Sequence, residues 1–173
     1  MIKRFIPFAH AKSVFDIEVS FYKKLGIKYL FVDLDNTLDS YKTETPSPKV
    51  LSLKESLKKC GIEMIVVSNN TGKRVSTYAN ALGVKFIPHI GKPFASGLNK
   101  ALKELKIGKD EVLVIGDQTV TDISAANGAK MKNVLTDKIV EEDQPTTRFN
   151  RLFDRPIRKS LAKKGLLKDW REF

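Results

Sequence analysis

The chain has 173 residues, a single cysteine and a net charge of +11. That length suits one domain with a real core, and the lone Cys60 excludes an internal disulfide framework and fits a reducing cytosol. No apolar run approaches the ~18 residues of a membrane-spanning helix, the first residues are too short and interrupted for a secretory signal, and a pI near 9.7 favours an anionic partner: nucleic acid, an acidic membrane surface or a phosphorylated substrate.

Residues 1–12 are basic and aromatic, and Phe5, Ile6 and Phe8 are expected to pack on the core. Ser13 to Leu25 reads as a weak helix stopped by Gly26. Lys28 to Val32 then reads as a buried strand, because Tyr29, Leu30, Phe31 and Val32 form an apolar, β-prone run. It leads directly into Asp33-Leu34-Asp35-Asn36-Thr37. Side chains alternate along an extended chain, so Asp33 and Asp35 face one side. Two acids held so close are tolerable if a cation lies between them or one keeps its proton. Alone, this stretch reads equally well as a turn after a strand, with Asn36 and Thr37 as turn and cap. A calcium loop fails because Leu38 stands where the sharp turn needs glycine.

Ser47 and Pro48 open a helix with Ser as cap, and Gly61 closes it. Ile62 to Val67 is a second buried strand, ending in Ser68-Asn69-Asn70. Asn70 or Thr71 caps the next helix, stopped by Gly83. Val84 to Pro88 is a short strand. After Gly91-Lys92-Pro93 comes a helix carrying Phe94, Leu98, Ala101, Leu102 and Leu105, stopped at Gly108. Glu111 to Ile115 is an apolar strand ending in Gly116-Asp117-Gln118; Thr121 to Asn127 is a short helix, and Met131 to Leu135 the last strand. Alternating strand and helix patterns predict an α/β fold, a three-layer Rossmann-like and mostly parallel sheet with helices on both faces. Ligands of such sheets bind outside the carboxyl ends of the strands, where the polar residues collect. No phosphate loop of the GxxxxGK type occurs, and His10 and His89 match no motif.

Four segments at successive strand ends, Asp33-Leu34-Asp35-Asn36-Thr37, Ser68, Lys92 and Gly116-Asp117-Gln118-Thr119-Val120-Thr121-Asp122, resemble in that order the four motifs of the haloacid dehalogenase-like phosphatases. The resemblance covers about residues 13–147. It implies a magnesium-dependent phosphomonoesterase with Asp33 as nucleophile and Asp35 as general acid and base. Ser68 and the backbone at Asn69 would hold the phosphoryl oxygens, Lys92 would neutralise charge, and Thr37 would fix the loop within the phosphate site. Asp33, the Asp35 carbonyl and Asp117 would hold Mg²⁺, with Asp122 a support or an alternative ligand.

The intervals between these motifs hold no room for a cap domain, which suits a large or surface-presented substrate. Together with Thr147-Arg148-Phe149-Asn150-Arg151, the motifs resemble the YqeG-type branch of subclass IIIA. That branch includes phosphatases of phosphatidylglycerophosphate, so the resemblance implies a lipid phosphate as substrate.

Residues 1–147 are expected to form the phosphatase domain and 148–173 a basic helical tail on it. The tail carries +6 of the +11. Phe149, Leu152, Phe153, Ile157 and Leu161 share a helical face ringed by Arg148, Arg151, Arg155, Arg158 and Lys159, with Pro156 splitting it into two short helices. Such a segment can lie on an anionic membrane, giving a cytoplasmic protein peripheral contact with lipid, or can pack its apolar face on the domain. RNA binding with a vestigial site, and hydrolysis of soluble sugar phosphates or nucleotides, are the competing readings.

Overall fold

The computed structural model describes residues 2–70, 72–140 and 145–173, the side chains of residue 2 and of residues 145–150 excepted. Its strands are β1 (Ala9–Ala11), β2 (Tyr29–Val32), β3 (Glu63–Val67), β4 (Lys85–Ile87), β5 (Val112–Gly116) and β6 (Lys132–Thr136). They form one parallel sheet in the order β1-β6-β5-β2-β3-β4. The helices are α1 (Val19–Lys24), α2 (Pro48–Lys59), α3 (Lys73–Leu82), α4 (Ser96–Leu105), α5 (Ser124–Gly128) and α6 (Pro145–Lys163). No helix among the described residues is long and apolar enough to cross a membrane.

The apolar runs of the central strands are explained by burial on both faces. Leu30, Val32, Met64, Val66, Leu113 and Ile115 point into one core, which also holds Phe21, Leu57, Tyr78 and Trp170. Phe31, Ile65, Val67, Val112 and Val114 point into the other, with Leu98, Ala101, Ala125 and Ala126. Each strand thus feeds two hydrophobic layers with alternate residues. Sequential connections run from β2 out to β4 on one side, then return across the sheet to β5. The crevice at this reversal lies between the carboxyl ends of β2 and β5. The intervals from β2 to β3 and from β3 to Lys92 hold one helix each and no inserted domain.

Several local expectations need correction. β1 arises where only a packed aromatic segment was expected. It pairs with β6, and its other edge is closed by the His10 N–H donating to the Lys168 carbonyl at 2.7 Å. Ser47 occupies the cap position of α2 without a side-chain capping bond; instead its N–H donates to Asp39 at 3.0 Å. Asn70 does not cap α3, since Gly72 occupies that position with φ +67°; Thr71 lies outside the described residues.

α4 begins after Phe94, which is exposed, and ends at Lys106 rather than Gly108. Lys106 adopts the left-handed conformation, and the Ile107 N–H reaches back to Leu102. Inside α4, a Cβ on Gly97 would lie 1.6 Å from the Ile90 carbonyl oxygen, so glycine there lets α4 close on the segment leading to Lys92.

The tail is the largest correction. α6 is one helix that continues through Pro156. The proline removes a single hydrogen bond, to the Leu152 carbonyl, and anchors on both sides of it hold the helix. The apolar face, for which the sequence left lipid contact and inward packing both open, packs inward fully only at Leu161 among its described side chains. Arg151, Asp154 and Leu161 are buried, whereas Leu152 and Phe153 are 68% and 54% exposed. The side chains of Arg148 and Phe149 lie outside the described residues.

Candidate active site

The chain leaves β2 at Val32 and turns at once. Leu34 and Leu38 are fully buried, and the Leu34 carbonyl accepts from Leu38 and Asp39. This turn fixes Asp33 and Asp35 at the mouth of the crevice, with Asn36 left-handed at φ 65°. Thr37 is buried, and its hydroxyl lies 3.5 Å from Asp117 Oδ1, linking the turn to the end of β5.

The Lys92 ammonium is buried and donates to Asp33 Oδ1 and to Asp122 Oδ1, both at 2.6 Å. Burial works against its charge, but Asp122 and Asp33 outweigh it and raise its pKa. Asn69 explains how the lysine is aimed. Its side chain donates to the Lys92 carbonyl at 2.7 Å and accepts from the Lys92 N–H at 2.8 Å. The Asn69 side chain therefore clamps Lys92, and only its backbone is left to serve the role the sequence suggested. Ser68 is buried at the end of β3, where its Oγ accepts from the Asn70 N–H at 3.0 Å. Asn70 in turn donates to Asp35 Oδ2 at 2.6 Å.

Asp122 is carried on a wide turn, Thr119–Ile123, and also accepts from the Gln118 N–H at 3.1 Å. A Cβ on Gly116 would lie 2.2 Å from the Asp122 carboxyl carbon, so glycine at the end of β5 makes room for this acid. With Asp122 engaged by Lys92 and Gln118, Asp117 is the acid that faces Thr37 across the crevice. All the sequence-derived candidates therefore meet at the ends of β2, β3 and β5.

Three cationic partners were missed. Arg74 of α3 pairs with Asp35 Oδ1 at 3.0 Å while donating to the carbonyls of Ser40, Tyr41 and Thr43. Arg151 of α6 is buried and pairs with Asp117, also donating to its carbonyl at 3.2 Å. Asp154 accepts from the N–H and hydroxyl of Thr119 at 2.6 Å. Arg158 donates to the Asp117 carbonyl at 3.0 Å and to Asp137 at 2.8 Å, and His10 faces Asp137 at 3.1 Å. Thr147-Arg148-Phe149-Asn150-Arg151 was the available signal, but spacing along the helix gave it no role at a distant strand end.

Burial pushes the Asp33 carboxyl well above the usual range; Lys92 opposes this, and the charges of Asp122, Asp117 and Asp35 add to it. Burial likewise pushes Asp117 up to about 6, with Arg151 opposing and Asp122 adding. Asp35 is raised mainly by burial, against Arg74 and Asn70. Acids with raised folded pKa values add stability below their unfolded pKa, near 4, and lose it as pH rises through the folded value. The lowered acids, Asp137, Asp169 and Glu111, act only near and below the ordinary carboxylate range. The chelator-treated protein should therefore melt at a lower temperature at pH 7.5 than at pH 5, and Asp117→Asn should shrink that difference. A difference unchanged in the variant would remove Asp117 as a source.

This mutual repulsion of buried carboxylates is what a divalent cation relieves. Among the described residues no three His, Cys, Asp or Glu side chains gather as a metal cluster. Magnesium needs less: it keeps several waters and takes one or two carboxylates. Asp33 and Asp117, with a main-chain carbonyl, fit that demand.

A parallel sheet bearing acids, an ammonium and a serine at the carboxyl ends of its central strands defines a Rossmann-like hydrolase of phosphorylated substrates. The chain belongs to the haloacid dehalogenase-like hydrolase family, whose model matches residues 8–130, and its kinship marks it as a phosphatase of that family. It is 33% identical over 173 residues to "Probable phosphatase YqeG" of Bacillus subtilis, covering 99% of this chain and 100% of that one. It is 24% identical over 174 residues to phosphatidylglycerophosphate phosphatase 1, chloroplastic/mitochondrial, of Arabidopsis thaliana, covering 93% of this chain and 49% of that relative's length.

Two solved structures share the fold. The cobalt-bound deoxy-D-mannose-octulosonate 8-phosphate phosphatase of Haemophilus influenzae superimposes with a TM-score of 0.50 at 17% identity, covering 66% of this chain and 81% of that one. An uncharacterized protein of Listeria monocytogenes gives 0.53 at 15% identity, covering 77% and 99%.

Proposed function

We propose that the protein is a Mg²⁺-dependent phosphomonoesterase that works through an aspartyl phosphate on Asp33 and takes a phospholipid phosphate such as phosphatidylglycerophosphate. The observation that carries the reading is the buried Lys92 ammonium bonded to Asp33, with a second acid, Asp35, two residues on and held by a separate cation. An Asp33 carboxylate oxygen attacks phosphorus, and the bond from phosphorus to the ester oxygen breaks. Asp35 gives its proton to the departing oxygen, then takes one from the water that cleaves the acyl phosphate. Burial raises the Asp35 pKa above that of an exposed carboxyl, which favours the protonated form this step needs.

Ser68 and the backbone at Asn69 bind the phosphoryl oxygens, and Lys92 offsets the charge that builds up in transfer. Asp33, the Asp35 carbonyl and Asp117 would hold Mg²⁺, which screens the approach of an anionic ester to an anionic nucleophile. Asp122 acts through Lys92, and Thr37 through Asp117.

The lipid assignment is supported by the relative named for phosphatidylglycerophosphate and by α6, which turns Leu152 and Phe153 outward beside exposed Arg155 and Lys159. A bilayer with anionic headgroups would meet that surface. Phosphate release from phosphatidylglycerophosphate in mixed micelles, with Mg²⁺ and with chelator, beside a panel of soluble esters, tests the reading. Magnesium-dependent release from the lipid in preference to the panel is expected. Release from soluble esters alone would discard the lipid, and equal release with chelator would discard the metal.

A further inference from the structure

A cleft of about 460 Å³ opens beside Asp35, lined by Tyr41, Lys42, Glu44, Lys73, Arg74 and Thr77. Among the described residues, three cations and one carboxylate line it. Arg74 is the wall shared with the reaction site, since its guanidinium pairs with Asp35 Oδ1 at 3.0 Å. That guanidinium is immobilised by the carbonyls of Ser40, Tyr41 and Thr43, yet its Nη1 is buried without a hydrogen-bond partner. Lys73 and Arg74 open α3, so the positive end of a ten-residue helix adds to the field. Lys42 and Lys73 are exposed.

The phosphoryl group to be cleaved has its own cation in Lys92. Asp35, which protonates the departing oxygen in the reading above, is paired with the cleft wall through Arg74, whereas Lys92 is bonded to Asp33. Cations of the cleft beside Asp35 therefore meet the leaving group rather than the transferred phosphoryl.

The geometry points to a second anion subsite formed by Lys42, Lys73 and Arg74, which selects substrates whose leaving group carries a further phosphate, as a phosphodiester or phosphomonoester. This rests on the phosphatase reading and deepens it: specificity comes from a second charge on the substrate, read by the loop after Asp35 and the first turn of α3. Charge-assisted bonds to a phosphate are the strong ones, and arginine and lysine are its usual readers. A phosphodiester-linked lipid headgroup and a soluble bisphosphorylated ester offer the same chemistry.

The test compares wild type with the Lys42→Ala/Lys73→Ala double variant. Three substrates are used: p-nitrophenyl phosphate, which has no second phosphate; the deacylated glycerophosphoglycerol phosphate; and the intact diacyl lipid in mixed micelles. KM for both diester-bearing substrates should rise about tenfold or more, the effect of losing roughly one charge-assisted bond, with kcat little changed. Turnover of p-nitrophenyl phosphate should stay within about twofold. Lys42→Arg/Lys73→Arg should restore most of the loss.

A loss confined to micellar lipid would assign the lysines to the membrane surface and overturn the subsite. Equal losses on all three substrates, or on none, would overturn it as well. Failure of the phosphatase reading looks different: wild type would then turn over none of the three, or Asp33→Asn would turn them over as wild type does.

Discussion

Asp33→Asn is expected to lower kcat by about 10⁴-fold or more while the protein still folds. The amide keeps the shape of the carboxylate but is a poor nucleophile toward phosphorus, and a covalent route lost in this way leaves only binding and electrostatic assistance. Stability should respond differently. Asp33 is one of several buried acids that repel each other, and burial already disfavours its charge. The neutral variant should therefore melt no lower than wild type in the absence of metal, and Mg²⁺ should raise its melting temperature less. Steady-state kinetics and thermal melts on the same preparation check both. A variant with wild-type rates would dismiss Asp33 as nucleophile.

The second large effect concerns a residue outside the four sequence motifs. Arg151→Ala should destabilise the chelator-treated protein by about 3–5 kcal/mol, because removing one partner of a buried pair strands the other charge. For a chain of this length that corresponds to a fall of about 10 °C in melting temperature. Added Mg²⁺ should recover more stability in the variant than in wild type, since the cation then meets an Asp117 carboxylate that has lost its Arg151 partner. Thermal melts across a Mg²⁺ titration measure this. Equal gains in the two proteins would mean that Asp117 does not bind the ion. Arg151→Lys should fall between, because lysine keeps the charge but cannot bond the Asp117 carboxylate and carbonyl together as the fork does.

These two residues also show where sequence reading stops. Asp33, Ser68, Lys92, Asp117 and Asp122 were legible because each sits directly after an apolar strand run or before a helix, and a parallel sheet collects such positions at one end. The two-faced cores were legible for the same reason: residues buried on both faces leave no polar alternation. Arg151, Asp154 and Arg158 were not. They lie on one face of α6 at helical spacing, yet a run of Arg and Asp at that spacing is ordinarily a solvated face, and the partners named for them are 21–41 residues away. The apolar residues of the same helix left a membrane-facing and an inward-packing reading both open, and the structure divides them, with Leu161 inward and Leu152 and Phe153 outward. Arg74 was hidden likewise, as its partners are loop carbonyls and Asp35. β1 is three residues of Ala-His-Ala, with no strand propensity of its own; neighbours on both edges make it a strand.

The placement of α6 bears on the order in which the enzyme becomes complete during synthesis. The strands and the four motifs all emerge before residue 137, whereas Arg151, Arg158 and the segment to Trp170 follow. A nascent chain can thus assemble its sheet while Asp117 is still without its guanidinium and the outer edge of β1 still unpaired. Translation halted in that interval leaves an open strand edge of the kind that recruits other chains. The residues made after β6 close that edge at His10 and bring the guanidinium to Asp117, so sheet assembly and completion of the site are separate events in synthesis.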